Sequence, residues 1–192
     1  RYADRSVAGR LLAEALVAEA ALERPVVLAL PRGGVPVAAE VAAELHAPLG
    51  LILVRKIGVP GRSELAMGAL AMIHGQLSEF HNDEIVDGLG ISSQAFEAAR
   101  NRERVELERR ASLFPYRDLR VADSTVIVVD DGLATGSTML AAVSAVRVLR
   151  PAAVVVAVPV GARQAVRALR AVADLVVCLS APEPFIAVGA AY

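Results

Sequence analysis

A chain of 192 residues with a net charge of −1 is sized for one domain and carries no basic field to attract nucleic acid. Aromatic residues make up only 4% of it, so it offers no platform for stacking the bases of a strand. Its longest apolar runs stop short of the ~20 residues that a membrane span needs.

In chain order, residues 4–22 read as a helix capped by Asp4, with Val7, Leu11, Ala15 and Ala18 on one face. Residues 26–30 form a strand that runs into Pro31-Arg32-Gly33-Gly34, and a helix follows to about Leu45. A second strand, 49–54, ends at Arg55-Lys56. Residues 57–66, with Gly58, Pro60, Gly61, Arg62 and Ser63, have the composition of a mobile loop. Short antiparallel strands are expected over 67–80, then a turn at Asp87-Gly88 and a charged helix from Ser92 or Ser93 to about Ser112. Acids and bases interleave along that helix, and Glu106 and Arg110 make a favourable i,i+4 pair, so it is read as a solvated face. Strand 126–129, helix 139–149, strand 153–158, helix 162–172 and strand 175–179 follow, with a proline-rich tail from Ala181. Strands alternating with helices predict an α/β fold: a Rossmann-like parallel sheet with helices on both faces. Cys178 is alone, which excludes a disulfide framework, and it is expected as a buried, inert thiol.

The densest chemistry follows the strand 126–129, where Asp130-Asp131-Gly132-Leu133-Ala134-Thr135-Gly136-Ser137-Thr138 leads into a helix. A helix N-terminus presents unpaired N–H groups and the positive end of the dipole to an anion. Gly136 lets the backbone approach a phosphate, and Thr135, Ser137 and Thr138 add hydroxyl donors. Asp130 and Asp131 lie at the carboxyl end of the strand, where open α/β sheets bind ligands. Paired carboxylates there suit ribose hydroxyls or a hydrated Mg²⁺. A Walker loop would need a lysine where Ser137 stands, and the dinucleotide fingerprint Gly-x-Gly-x-x-Gly is absent. A receiver domain would place its acidic pair near its first strand and lacks such a turn.

This segment resembles the phosphoribosyl-pyrophosphate motif of the type I phosphoribosyltransferases. The resemblance implies that Asp130 and Asp131 bind the ribose 2′ and 3′ hydroxyls, with Mg²⁺ held indirectly through substrate and water. It implies that the loop from Ala134 to Thr138 cradles the 5′-phosphate. Arg32-Gly33-Gly34 is similar to the family's pyrophosphate loop. The phrase Val54-Arg55-Lys56-Ile57-Gly58-Val59-Pro60-Gly61 looks like the start of its flexible catalytic loop, particularly that of the adenine enzymes. Lys56 is the only lysine among 20 basic residues. Alone that bias reflects coding composition; at this place it suits a compact charge on the leaving pyrophosphate. With Arg32 and Arg55 it forms the expected catalytic cation set.

Ala134 stands where 6-oxopurine enzymes carry an aspartate, which counts against a hypoxanthine or guanine acceptor. The ending over 185–192 resembles that of family members of unassigned acceptor. The first helix and residues 182–192 are the expected acceptor hood, with Phe185 and Tyr192 either stacking on a base or packing as core aromatics. His46, His74 and His81 have no metal-ligand spacing and are read as a helix end, a strand and a loop.

The resemblance covers residues 1–192 and implies one phosphoribosyltransferase domain, cytoplasmic and homodimeric, working in nucleotide metabolism. Its partners would be phosphoribosyl pyrophosphate and a small nitrogenous acceptor, with no nucleic acid and no membrane. Arg1 in place of methionine is read as a domain cut from a longer chain, which leaves a further domain or a removed targeting segment open. The competing reading is a non-catalytic sensor of phosphoribosyl pyrophosphate or a nucleotide on the same fold.

Overall fold

The computed structural model describes residues 1–19, 22–114 and 119–192, the side chains of residues 63 and 64 aside. Its elements run α1 (Arg5–Glu19), β1 (Pro25–Ala29), α2 (Gly34–Glu44), β2 (Leu49–Val59), β3 (Arg62–Ile73), β4 (Gln76–His81), α3 (Asp83–Gly88) and α4 (Ser93–Ala111). They continue with β5 (Thr125–Val129), α5 (Ser137–Val148), β6 (Ala153–Val160), α6 (Arg163–Arg170), β7 (Leu175–Ser180) and a 3₁₀ turn at Val188–Ala191. The strands form one sheet in the order β4-β3-β2-β1-β5-β6-β7. Pairing is parallel from β2 to β7 and antiparallel on the β2–β3–β4 side.

The alternation of side chains along the central strands explains the layers. Val26, Leu28, Val126, Val128, Val154 and Val156 point to one face, where they meet α5 and α6. Val27, Ala29, Ile127, Val129, Val155 and Ala157 point to the other, against α1 and α2. A third cluster lies apart, where Phe96, Ala99, Leu107 and Ala111 of α4 pack on Leu53, Ile57, Met67 and Leu70 of the β2–β3 ribbon.

Several expectations are corrected. Residues 57–66 are not a loop: β2 runs to Val59 and β3 starts at Arg62, so only Pro60 and Gly61 turn the chain. Gly61 sits at φ +75°, a conformation that costs glycine little. The ladder absorbs the glycine at 58 as an irregularity, with register shifts on either side of it. Asp87 and Gly88 belong to α3, whose Asn82 side chain accepts from the Ile85 N–H, and the turn falls at 89–90. His74 occupies the β3–β4 turn with φ +50°, and His81 ends β4. Cys178 is half-buried, its Sγ 3.2 Å from the Ser180 carbonyl oxygen, and burial pushes its thiol up.

The first helix ends at Glu19; the expected continuation through residues 20 and 21 lies outside the described residues. Its cap is as expected, with Asp4 accepting from the Val7 N–H at 2.8 Å. Among the described residues no helix is long and apolar enough to cross a membrane.

Candidate functional site

The site grows from the carboxyl edge of β1 and β5. All five residues of β5 are buried, so the chain emerges from the sheet on a rigid base and turns at Asp130. The Asp130 side chain accepts from the Asp131 N–H at 2.8 Å, which fixes the two carboxylates relative to each other. The loop after β1 interlocks with them. A Cβ on Gly34 would lie 2.6 Å from the Val129 carbonyl oxygen, and one on Gly33 would collide with the Asp131 carboxylate. Gly34 is thus required by the close approach of two backbones, and Gly33 by the carboxylate that lies over it. The Pro31–Arg32 peptide in this loop is cis.

Beyond the acidic pair, Gly136 takes φ +76° as the N-cap of α5, and Leu140 N–H donates to its carbonyl at 2.9 Å. The Thr135 and Ser137 hydroxyls lie 3.1 Å apart, and Thr138 stands at the mouth. The Thr135 hydroxyl accepts from the Ser137 N–H at 3.4 Å, and Gly136 has no side chain to cap the N–H groups that follow in this 12-residue helix. A cavity of about 180 Å³ fills that turn, lined by Ala134, Thr135, Gly136, Ser137 and Thr138.

Two further cavities share lining residues with it. One, of about 400 Å³, lies between Asp130, Asp131 and Gly33 on one side and Arg55, Leu107 and Arg110 on the other. The next, of about 500 Å³, follows the β2–β3 ribbon past Arg55, Lys56, Pro60 and Gly61, with Arg102 and Glu103 of α4 opposite. Thr138 lines all three. One cleft thus brings together Gly33, Arg55, Lys56, the acidic pair and the phosphate-type turn. Arg32 lines none of these cavities.

The two hood aromatics part company. Phe185 lines a separate apolar cavity of about 330 Å³ with Tyr2 and Val160. Tyr192 reaches the acidic pair, its hydroxyl donating to the Asp131 carbonyl oxygen at 2.7 Å. Burial and the nearby Asp131 carboxylate push that hydroxyl up, which keeps it a donor. The terminal segments meet each other, with Tyr2 N–H donating to Ala191 O at 2.7 Å and the Tyr2 and Tyr192 rings 5.9 Å apart.

Three side chains had no signal in the sequence. Arg5 of α1 donates to Asp131 Oδ2 from Nε at 2.8 Å and from Nη2 at 2.6 Å. Glu103 accepts from Arg55 Nε at 2.7 Å and Nη2 at 2.6 Å, so α4 supplies a counter-charge inside the cleft. Arg110 lines the cleft while bonding Glu106 at 2.8 Å. The charged helix is therefore only partly the solvated face its composition suggests.

Burial raises the Asp130 carboxyl to about 7, and the Asp131 N–H opposes that shift. Two carboxylates beside polar loops form a hard oxygen donor set, and Gly33 leaves no side chain between them and the cleft. That chemistry fits Mg²⁺, which takes one or two carboxylates and completes its shell with substrate oxygens and water. Among the described residues no cluster of three or more potential ligands exists, so the ion would depend on substrate oxygens.

A sequence profile of the phosphoribosyl transferase domain matches residues 5–192. A Mycobacterium tuberculosis H37Rv protein provisionally named a phosphoribosyl transferase is 43% identical over 193 aligned residues. The alignment takes in 100% of this chain and 43% of the relative, so the chain spans less than half the length of the curated relatives it matches. The crystal structure of TT1426 from Thermus thermophilus superposes with a TM-score of 0.87 at 44% identity, over 99% of this chain and 89% of that one. A hypoxanthine-guanine phosphoribosyltransferase from Bacillus anthracis shares the fold at 14% identity and a TM-score of 0.52, over 94% of this chain and 79% of that one.

Proposed function

This chain belongs to the phosphoribosyl transferase family, and on that premise we propose that it transfers ribose 5-phosphate from phosphoribosyl pyrophosphate to a nitrogenous acceptor. The observation that carries the reading is that Thr138 is common to three cavities, at the phosphate turn, the acidic pair and the basic ribbon. A donor with a 5′-phosphate, a ribose diol and a pyrophosphate presents the same three chemistries in the same order.

In this reading the turn 135–138 binds the 5′-phosphate through backbone N–H groups and hydroxyls. Asp130 and Asp131 accept from the two ribose hydroxyls. Gly33 brings a main-chain N–H group to the pyrophosphate, Gly34 allows the tight turn while its own N–H donates to the Leu30 carbonyl at 3.0 Å, and Arg55 and Lys56 neutralise the anion. As the C1–O bond to pyrophosphate breaks, its electron pair leaves with the pyrophosphate, and the cations stabilise a charge that grows toward the transition state. The acceptor nitrogen bonds to C1 from the opposite face, inverts it, and gives up its proton to water or to the departing pyrophosphate. Mg²⁺, when bound beside the acidic pair, would supply charge neutralisation for the pyrophosphate. Ala134 leaves no carboxylate at the edge of the turn, which supports an acceptor other than a 6-oxopurine.

One observation favours a second reading. Arg55 is already engaged by Glu103, and a sensor that binds the donor without cleaving it has no need of a freed cation. Screening nitrogenous bases with phosphoribosyl pyrophosphate and Mg²⁺, while following pyrophosphate release, separates the two. Base-dependent release supports the transferase. Tight donor binding with no release for any base would establish the sensor, and no donor binding at all would remove both.

A further inference from the structure

Arg5 lies 126 residues from Asp131 in the chain and meets it through two hydrogen bonds to one oxygen. Such a contact does not arise from packing an apolar helix face: α1 buries Ala8, Leu12, Ala13 and Leu16 against the sheet, and Arg5 stands at its first turn, half-exposed. The guanidinium is held on its other side. Its Cζ lies 4.6 Å from the centre of the Tyr192 ring, a cation–π arrangement. Tyr192 in turn donates to the Asp131 main-chain oxygen at 2.7 Å. Asp131 is therefore gripped at its side chain by one end of the chain and at its backbone by the other, and the two grips stack on each other.

These grips leave one side of the carboxylate available. Oδ2 is saturated by Arg5, while the carboxylate stands directly over Gly33, where any side chain would collide with it. Asp131 itself lines the cleft shared with Gly33 and Asp130. A carboxylate that must accept a sugar hydroxyl gains most when its rotamer is already fixed, because no ordering cost falls on binding. A guanidinium that donates twice, itself stacked on an aromatic ring, is the side chain best suited to fixing it.

We infer that Arg5 is a positioning residue for the sugar: with Tyr192 it orients Asp131 so that the free carboxylate oxygen meets a ribose hydroxyl, making the end of α1 part of the sugar-recognition apparatus. This rests on the transferase reading of the cleft, and the test separates the two. The probes are ribose 5-phosphate and inorganic phosphate, titrated calorimetrically into the wild type and into Arg5→Ala, Arg5→Lys and Tyr192→Phe. The wild type should bind ribose 5-phosphate more tightly than phosphate. Arg5→Ala should weaken ribose 5-phosphate by ~10-fold or more, the usual consequence of losing a charge-assisted hydrogen bond, while leaving phosphate unchanged. Arg5→Lys should recover part of the loss. Tyr192→Phe, which keeps the ring under the guanidinium, should lose less than Arg5→Ala.

Thermal melts of the variants report whether the fold is kept. If Arg5→Ala proves unstable, the folded Lys and Phe variants still carry the comparison between the two probes. A wild type that prefers phosphate, or binds both equally, would overturn the underlying assignment of the cleft. A wild type that prefers the sugar phosphate, with Arg5 variants that keep that preference or weaken both probes equally, would overturn the positioning role alone.

Discussion

Asp130 leaves a fully buried strand, and burial holds its carboxyl near 7, where the unfolded chain titrates in the ordinary carboxylate range. Because the folded pKa is raised, the native state holds a proton that the unfolded state has released between about pH 4 and 7. Its contribution to stability therefore falls as pH rises through that window and levels off above it. Ligand binding runs the other way, since a hydroxyl or a hydrated Mg²⁺ requires the ionised form. Donor binding at about pH 6 should release close to one proton, and at about pH 8.5 almost none. Calorimetry in two buffers of different ionisation enthalpy reads that difference directly. Equal proton release at both pH values would mean that Asp130 does not ionise on binding. Asp130→Asn should lower the release at about pH 6 to the share that comes from the donor's own phosphates, while leaving the main-chain turn in place, because its amide oxygen still accepts from the Asp131 N–H.

At the scale of elements, the ribbon β2–β3 and helix α4 form the wall that faces the acidic pair, and their charges meet at Arg55 and Glu103. Both side chains are about a quarter to a third exposed, so the pair contributes on the order of 1 kcal/mol rather than the full Coulomb energy. Glu103→Gln should release Arg55 toward the cleft and raise affinity for inorganic pyrophosphate by roughly 3–5-fold, consistent with that energy. A fall in affinity would instead make Glu103 the residue that aims Arg55 at the anion. The base of the ribbon was legible in the sequence, as strand 49–54 and antiparallel strands over 67–80, but its tip over 57–66 was not. Glycine and proline at 58, 60 and 61 favour a loop locally, and only pairing across the hairpin draws Ile57, Gly58 and Val59 into a ladder and confines the turn to Pro60 and Gly61. By contrast, the phosphate turn is contiguous, from β5 through Gly136 to α5, and its chemistry and conformation are written within a dozen residues. Arg5, Tyr192 and Glu103 lie 126, 61 and 48 residues from the groups they hold, and no local pattern marks such partners. Tyr192 reads in the sequence as an aromatic for a base or a core, whereas its hydroxyl and ring act on Asp131 and Arg5.

Across the whole molecule, the site joins regions supported by different cores. The acidic pair and the phosphate turn stand on the central strands, packed on both faces by helices. Helix α4 and one face of the basic ribbon depend on the third cluster, while Ile52, Ala71 and Ile73 tie the ribbon's base to the core under α5. Leu107 is 0% exposed in that cluster and also lines the cleft facing the acidic pair. Leu107→Ala should cost about 2–5 kcal/mol through lost contacts and a cavity. Its effect should be uneven, because local opening draws on the least supported unit. Hydrogen exchange should therefore rise first in α4 and in the β2–β3 ribbon, with β1, β5 and β6 still protected. Phosphate binding at the α5 turn should persist while pyrophosphate binding weakens, since only the latter needs the wall. Uniform loss of protection across all strands would mean that the third cluster is continuous in energy with the central sheet. The two halves of the cleft would then open together, and phosphate and pyrophosphate affinities would fall in step.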